Sequence, residues 1–298
     1  MTLDTVKYQV PLADHTSYRV GGMAEWFAQP CDLNQLQELF LWWQTEGGPL
    51  TLLGAGSNLL ISDRGLPGLV VSTRYLRHTS FDNDSAHITA AAGEPLPKLA
   101  WRAAKRGWQG LEWAVGIPGT VGGAVVMNAG AHKGCIADCL VSATVLNPDG
   151  GLETLTAQQL GYSYRTSALQ GAGRLVISAT FALNPGFDTQ KMMALTGHNL
   201  HHRKNTQPYD KPSCGSVFRN PEPYAAGWLI EQEGLKGYRI GEAEVSQRHA
   251  NFILNRGQAK AQDIFRLIRH VQAEVSGAWS VLLEPEVRIL GDFSGVCF

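Results

Sequence analysis

The segment Pro212–Pro221, PSCGSVFRNP, sets a thiol at Cys214 and a hydroxyl at Ser216 on either side of Gly215. A thiolate is the stronger nucleophile, so Cys214 draws attention first. No base that would activate it stands in the neighbouring sequence, and a hydroxyl can serve as an acid as well as a nucleophile. A second candidate is LEPEVRILG, where Glu284, Glu286 and Arg288 alternate and so share one face of a strand. Three charges on one strand face usually meet water. Here Val281, Leu282, Leu283, Val287, Ile289 and Leu290 surround them, which favours a partly buried site. A third candidate is GYSYRTS, whose Tyr164–Arg165 pair reads by itself as a structural ion pair with a packed ring.

Two glycine-rich loops could hold a ligand rather than react. Gly54-Ala55-Gly56-Ser57-Asn58 follows an apolar strand, and its glycines let successive backbone N–H groups close around a phosphate. It departs from the dinucleotide fingerprint, with Leu59 where the third glycine belongs, and it lacks the Gly-Lys-Ser/Thr of a P-loop. A tight turn accounts for it equally well. The segment Gly116–Gly134, GIPGTVGGAVVMNAGAHKG, is too glycine-rich to be one helix or one strand. Such a chain packs its backbone against a large flat ligand, or else forms a buried crossover. Two such loops in separate regions favour one extended dinucleotide held by both. The missing fingerprint favours flavin over NAD.

The elements that must position these residues fall into three regions. In the first, Asp32 is a fitting N-cap for a helix with Leu36, Leu39, Phe40 and Trp43 on one face and Gly47-Gly48 as its stop. The strands PLTLLG and GLVVST follow it. In the second region, from about Tyr75, HITAAAG alternates as a strand and EPLPKLAWRAAKRG forms a helix stopped by Gly107. Pro-Asp-Gly-Gly after DCLVSATVLN marks a hairpin into GLETLT, and RLVISATFAL adds a further strand. The third region begins near the helix QKMMALTGHNLHHRK. It adds a helix at AAGWLIEQEG, a strand at NFILN, a helix at AQDIFRLIRHVQAEVSG and a closing strand at LEPEVRIL. Ile264, Leu267, Ile268, Val271 and Val275 make the buried face of that last helix. This order implies an α+β fold rather than a regular doubly wound sheet.

Composition sets the limits. A chain of 298 residues, 44% hydrophobic and 17% charged, has length for two or three packing units. A net charge of −1 gives no reason to expect nucleic-acid or anionic-membrane binding, although Arg203-Lys204 could meet phosphate on a small ligand. The N-terminal residues do not read as a signal peptide, and no apolar run approaches the roughly 20 residues of a membrane helix. The cysteines, Cys31, Cys135, Cys139, Cys214 and Cys297, are scattered and have no second Cys/His pair at metal-ligand spacing. A reduced cytoplasmic protein with free thiols and no metal is expected. No exposed amphipathic repeat demands a partner, so a monomer is expected as well.

Taken in order along the chain, HTSYRVGG, LGAGSNLLISDRG, GIPGTVGGAVVMNAGA, YSYRTS, CGSVFRNP, AGWLIEQEGLKG, HANFILN and LEPEVRILG closely resemble the UDP-N-acetylenolpyruvoylglucosamine reductase family of flavoenzymes. Each motif is weak alone; the whole ordered set is specific. The resemblance implies a two-part FAD-binding region of the vanillyl-alcohol-oxidase type, residues 1–73 and 74–203, with non-covalent FAD. It implies a smaller α+β substrate domain at 204–298, whose last strand can return to the first part. The implied reaction runs in two halves: NADPH reduces FAD, then hydride passes from flavin N5 to C3 of the enolpyruvyl ether of UDP-N-acetylglucosamine enolpyruvate. A proton delivered to C2 completes UDP-N-acetylmuramate, a peptidoglycan precursor. Hydride addition loads charge onto the neighbouring carboxylate, so a cationic or proton-donating group must stabilise it and another must supply the C2 proton.

Residue by residue, the resemblance makes Ser216 the proton donor, Arg165 the arginine near the substrate carboxylate, and Glu286 the glutamate that helps polarise it. A protonated Glu286 would need burial to raise its pKa. Asn220 and Arg288 match positions that hold the UDP moiety, with Gln207 near the uridine and Tyr164 either a contact or structural. Gly54, Ala55, Gly56, Ser57 and Asn58 would cradle the FAD pyrophosphate. Ile117, Pro118, Gly119, Thr120, Gly122, Gly123, Val126, Ala129 and Gly130 would line the flavin and the adenine ribose side. Some members carry an insertion after the Tyr-Arg motif that folds over the substrate; Arg165 and Ser216 stand too close in sequence for it, so the chain resembles the shorter subtype. No histidine placed for covalent flavin attachment is evident. Two other readings compete: an oxidase of the same flavoprotein superfamily, and a non-catalytic flavin- or nucleotide-binding module.

Overall fold

In the computed structural model the described residues are 5–295, so Cys297 lies outside them. The first helix forms as its capping and spacing dictate. The Asp32 carboxylate accepts the Gln35 N–H at 2.8 Å, and Gly47 at φ 75° ends Leu33–Glu46. Its Leu36, Leu39, Phe40 and Trp43 are buried with Ala28, Leu69 and Val71. The sheet beside it has the order Val6–Pro11, Met23–Ala28, Leu66–Ser72, Leu50–Leu53. The last two strands are parallel, Leu50 opposite Leu69.

A five-stranded sheet carries the order Leu152–Thr156, Leu140–Leu146, Leu175–Ala182, His87–Ala91, Thr79–Asp82. The expected hairpin closes at Asn147–Gly151, with Leu146 opposite Leu152. Ile88, Ala90, Ala143, Val145, Ala179 and Phe181 face one core, against Leu96, Leu99, Ala100 and Ala103 of the Leu96–Ala104 helix. Gly107, at φ 66°, follows that helix, and its backbone nitrogen bonds the Ala104 carbonyl. The glycine-rich segment becomes a 3-10 turn, Glu112–Gly116, a short helix, Val121–Val126, and a hairpin of Gly130–Ala131 with Gly134–Cys135.

The chain divides into two compact units. The first comprises residues up to Lys7, Trp26–Ala55 and Gly68–Arg203; the second comprises Tyr8–Glu25, Gly56–Pro67 and the residues from Lys204 onward. In the second, the helix Ala261–Trp279 buries Ile264, Leu267, Ile268, Val271 and Val275, the face its periodicity marks. It contacts a three-stranded sheet of Arg239–Ile240, Ala243–Val245 and Ile253–Asn255, and the helix Ala226–Gln232. The closing strand is shorter than LEPEVRIL suggests. Only Arg288–Leu290 is a strand, pairing in parallel with Leu59–Ile61, while Pro285 makes an isolated bridge to Phe218. Pro285 has no N–H to continue a ladder, and the Val217 carbonyl takes both the Glu286 and Val287 N–H groups, so the alternation breaks. Glu284 is exposed, whereas Glu286 and Arg288 are half-buried, so the three charges do not share one environment.

The protein is of the α+β class. Among the described residues, no helix is long and apolar enough to cross a membrane, and no group of three His, Cys, Asp or Glu side chains is placed to hold a metal ion. The four described cysteines are free thiols.

Candidate functional site

In the second unit, the Cys214 thiol is buried and donates to the Leu59 carbonyl at 3.2 Å. Burial pushes its pKa up to about 12, only partly opposed by the Leu59 and Tyr18 backbone. A thiol so held is neutral near pH 7 and serves as packing. Gly215 takes φ 77° with no protein atom within 4 Å of a Cβ built there, so on the protein side it is the left-handed turn that calls for glycine. Ser216, half-buried, then begins a segment fixed from two sides. Asn251, itself buried, accepts the Phe218 N–H at 2.9 Å, donates to the Phe218 carbonyl at 2.8 Å and offers its own carbonyl to Val217 N–H at 2.8 Å. On the other side the Val217 carbonyl accepts the Glu286 N–H at 2.7 Å, and the Glu284 carbonyl accepts the Arg219 N–H at 2.9 Å. The main chain of the Ser216 segment is therefore in register with that of Glu286.

Asn58 belongs to this same construction. Its side chain donates to the Glu286 carbonyl at 3.1 Å, and its carbonyl accepts the Arg288 N–H at 3.0 Å. Gly56 has a double reason to be glycine: φ is 65°, and a Cβ would lie 2.1 Å from the His15 carbonyl oxygen. Asn220 is exposed and its side-chain oxygen accepts the Ala226 N–H at 3.0 Å, at the start of the Ala226–Gln232 helix. The Gln207 carbonyl accepts from the Arg248 guanidinium at 3.2 Å.

In the first unit, Arg165 sits at the tip of a tight turn closed by reciprocal Ser163–Thr166 backbone bonds of 3.2 Å. Its φ is 55°, the left-handed region that an L side chain rarely takes. The guanidinium donates to the Gly130 carbonyl at 2.7 Å and lies 4.8 Å from the centre of the exposed Tyr164 ring, a cation–π contact. The Tyr164 ring, read from sequence as packed, is exposed and meets the guanidinium on its face.

The glycine-rich segment bears on whether the first unit can accept a flat cofactor. Several of its glycines are required by the protein itself. A Cβ would lie 2.3 Å from Arg203 at Gly116, 2.8 Å from Ala92 at Gly122 and 2.5 Å from Trp113 at Gly134. Gly54, in the other loop, approaches the Thr120 hydroxyl, which would lie 2.7 Å from a Cβ there. That hydroxyl also accepts the Gly123 N–H at 3.4 Å. Gly123 and Pro118 are exposed, and Gly119 has φ 146°. Ile117, Val126 and Ala129 are half-buried at the edge of the core. Bare backbone, one hydroxyl and an apolar rim suit a large planar ring and neutral hydrogen-bond donors, so these residues fit FAD.

The FAD binding domain family matches residues 24–156, and the UDP-N-acetylenolpyruvoylglucosamine reductase C-terminal domain family matches residues 207–290. A curated protein of that reductase name from Synechocystis is 64% identical over 97% of this chain and 92% of its own length. The chain belongs to the UDP-N-acetylenolpyruvoylglucosamine reductase family. A reductase of the same name from Synechococcus elongatus is 55% identical over 99% of this chain and 97% of its own. The crystal structure of the Thermus caldophilus UDP-N-acetylenolpyruvylglucosamine reductase superposes with a TM-score of 0.82 at 35% identity, covering 96% of this chain and 99% of that one.

For a member of this reductase family, the side chains that sequence reasoning missed are amides. Asn251 pins the Ser216 segment, and Asn128 and Gln170 pin the Arg165 turn. The signal for Asn251 was a polar residue inside the apolar run HANFILN. Asn128 and Gln170 carry no comparable local signal.

Proposed function

We propose that this protein reduces the enolpyruvyl ether of UDP-N-acetylglucosamine enolpyruvate to UDP-N-acetylmuramate, with FAD as cofactor and NADPH as the source of electrons. The observation that carries the reading is the bond from Glu286 N–H to the Val217 carbonyl at 2.7 Å, which holds the candidate proton donor and the candidate carboxyl on adjoining backbone. Family membership supports the substrate class. Residues 1–73 and 74–203 form the cofactor-binding parts and 204–298 the substrate domain of a monomeric cytoplasmic enzyme.

Bound FAD would supply the hydride. Gly54, Ala55, Gly56, Ser57 and Asn58 offer backbone N–H groups to its pyrophosphate, and Ile117–Gly130 lines the ring. Arg165 receives the charge that grows on the substrate carboxylate, and its fixed fork suits two oxygens at once. Glu286 shares that task as a hydrogen-bond donor. Ser216 gives its hydroxyl proton to C2, because a carbanion-like carbon is a strong enough base to take it. Asn220, Arg288 and Gln207 hold the uridine diphosphate, and no covalent nucleophile is needed, which agrees with a buried, neutral Cys214.

Replacing Ser216 by Ala tests this in two half-reactions. Flavin reduction by NADPH should survive within about twofold, while reoxidation by the enolpyruvyl substrate should fall by about 10²- to 10⁴-fold. Equal loss in both halves would point to a folding or cofactor defect. Fast reoxidation of the unaltered protein by oxygen, with no response to the substrate, would mean an oxidase instead.

A further inference from the structure

The turn that carries Arg165 is costly in itself. A non-glycine residue at φ 55° as the third residue of a four-residue turn costs about 1 kcal/mol. Such a conformation persists only where surrounding bonds over-determine it. Two side-chain amides do so here. Gln170 donates to the Arg165 carbonyl at 2.8 Å and to the Val126 carbonyl at 3.3 Å. Asn128, buried, donates to the Ser163 carbonyl at 2.9 Å and accepts the Ala137 N–H at 3.0 Å. Ser167 adds a third tie, donating its hydroxyl to the Val126 carbonyl at 2.7 Å.

These ties share a common anchor. Val126 ends the short helix of the glycine-rich segment, and its carbonyl, without an onward helical partner, takes both Ser167 and Gln170. The Arg165 guanidinium returns to the same segment at Gly130. The tip residue is thus held at its backbone through Gln170 and at its side chain through Gly130, both on the stretch that lines the cofactor region in the proposed function.

Resting on the reading of Arg165 as the carboxylate-binding arginine, we infer that Gln170 is a positioning residue for the reaction: its amide locks the left-handed Arg165 to the Val126 carbonyl, so that the guanidinium meets the substrate in one orientation. Asn128 holds the opposite limb of the turn. Gln170 itself touches no reacting atom. Its contribution is the fixed geometry of another residue, and small misplacements of a charge-stabilising group cost about 10- to 100-fold in rate.

The test uses the FAD-loaded full chain and three variants: Gln170→Met, which keeps volume but removes the donor, Arg165→Met, and the double variant. Gln170→Met should slow flavin reoxidation by the enolpyruvyl substrate about 10- to 100-fold while NADPH reduction stays within about twofold. In the Arg165→Met background the same change should cost nothing further, the non-additivity expected of residues acting as a unit. Amide exchange at Thr166, whose N–H closes the turn at 3.2 Å, should speed up in Gln170→Met without cofactor loss. If Arg165→Met collapses reoxidation but Gln170→Met leaves it unchanged, or slows both halves alike, the positioning role is overturned and the Arg165 reading stands. If Arg165→Met itself leaves reoxidation intact, the Arg165 reading fails and the inference falls with it.

Discussion

The side-chain amide of Asn58 donates to the carbonyl of Glu286 at 3.1 Å, across 228 positions of sequence. With the Arg288 N–H bonded to the Asn58 carbonyl at 3.0 Å, one residue ties both sides of the Glu286–Arg288 segment just before the parallel pairing of Leu59–Ile61 with Arg288–Leu290. The turn proposed to offer N–H groups to the cofactor therefore also sets the main-chain position of the candidate carboxyl.

Replacing Asn58 by Ala separates these duties, because the backbone N–H survives and the amide does not. Stability should fall by about 1 kcal/mol, the net value of one such hydrogen bond, read as a lower thermal midpoint. Reoxidation by substrate should slow about tenfold as Glu286 loses its tie. FAD affinity should stay within about twofold; a large rise in the FAD dissociation constant with unchanged stability would show that the side chain serves the cofactor instead.

Gly56 and Gly215 share a left-handed backbone but not the same space. At Gly56 a Cβ meets main-chain oxygen at 2.1 Å, which no rotamer change relieves; at Gly215 it meets nothing within 4 Å. Gly215→Ala should cost about 1 kcal/mol from conformation alone and still give folded protein. Gly56→Ala should cost more than about 4 kcal/mol, the range of severe local strain, and yield little folded protein. Comparable thermal midpoints for the two variants would overturn the distinction.

Cys214 gives stability a pH dependence. Its pKa rises from the ordinary thiol value of 9.0 to about 12, chiefly because burial disfavours the thiolate. Below pH 9 the thiol is neutral in both states, so the full benefit is present. Above 9 the unfolded chain binds fewer protons than the folded one, and stability falls by about 1.4 kcal/mol per pH unit until the folded group ionises near 12. Thermal midpoints measured from pH 8 to 11 should fall less steeply for Cys214→Ala, although its midpoint at pH 7 should already be lower. At pH 8 a small alkylating reagent should label exposed Cys31 in minutes and Cys214 only on unfolding. An unchanged slope, or rapid labelling of Cys214, would contradict the burial argument.

Local signals made much of this fold legible. Asp32 with Leu36, Leu39, Phe40 and Trp43 announced one helix, Ile264 to Val275 another, and Pro-Asp-Gly-Gly the hairpin. The over-long final strand shows where alternation misleads: Glu284, Glu286 and Arg288 keep the period of two, but Pro285 cannot donate. The site was legible as residue types, and its supports were not. Asn128 meets Ser163, Asn251 meets Phe218 and Asn58 meets Glu286 through contacts distant in sequence, and a buried amide carries no period that would announce its partner. The inertness of Cys214 likewise comes from its burial, among partners as distant in sequence as Leu59, 155 positions away.

Asp63 supplies a last case of a distant support. Its two carboxylate oxygens accept the Ala261 and Gln262 N–H groups at 2.9 and 3.0 Å, at the start of the Ala261–Trp279 helix. Those are orphan donors that the helix cannot satisfy itself, and the carboxylate also complements the positive end of the helix dipole. The N-cap residue of this helix is Lys260, which brings no carboxylate, while Asp263 accepts the Lys260 N–H at 3.0 Å. Asp63→Ala should therefore lower stability by about 2 kcal/mol, since two charge-assisted bonds are lost and two helix N–H groups are left to water. Asp63→Asn, which keeps one acceptor and loses the charge, should fall about midway. Because the helix packs the second unit and touches no reacting atom, NADPH reduction at 20 °C should be unchanged in both variants. A thermal midpoint for Asp63→Ala equal to that of the unaltered protein would mean that the helix start is held by Asp263 alone.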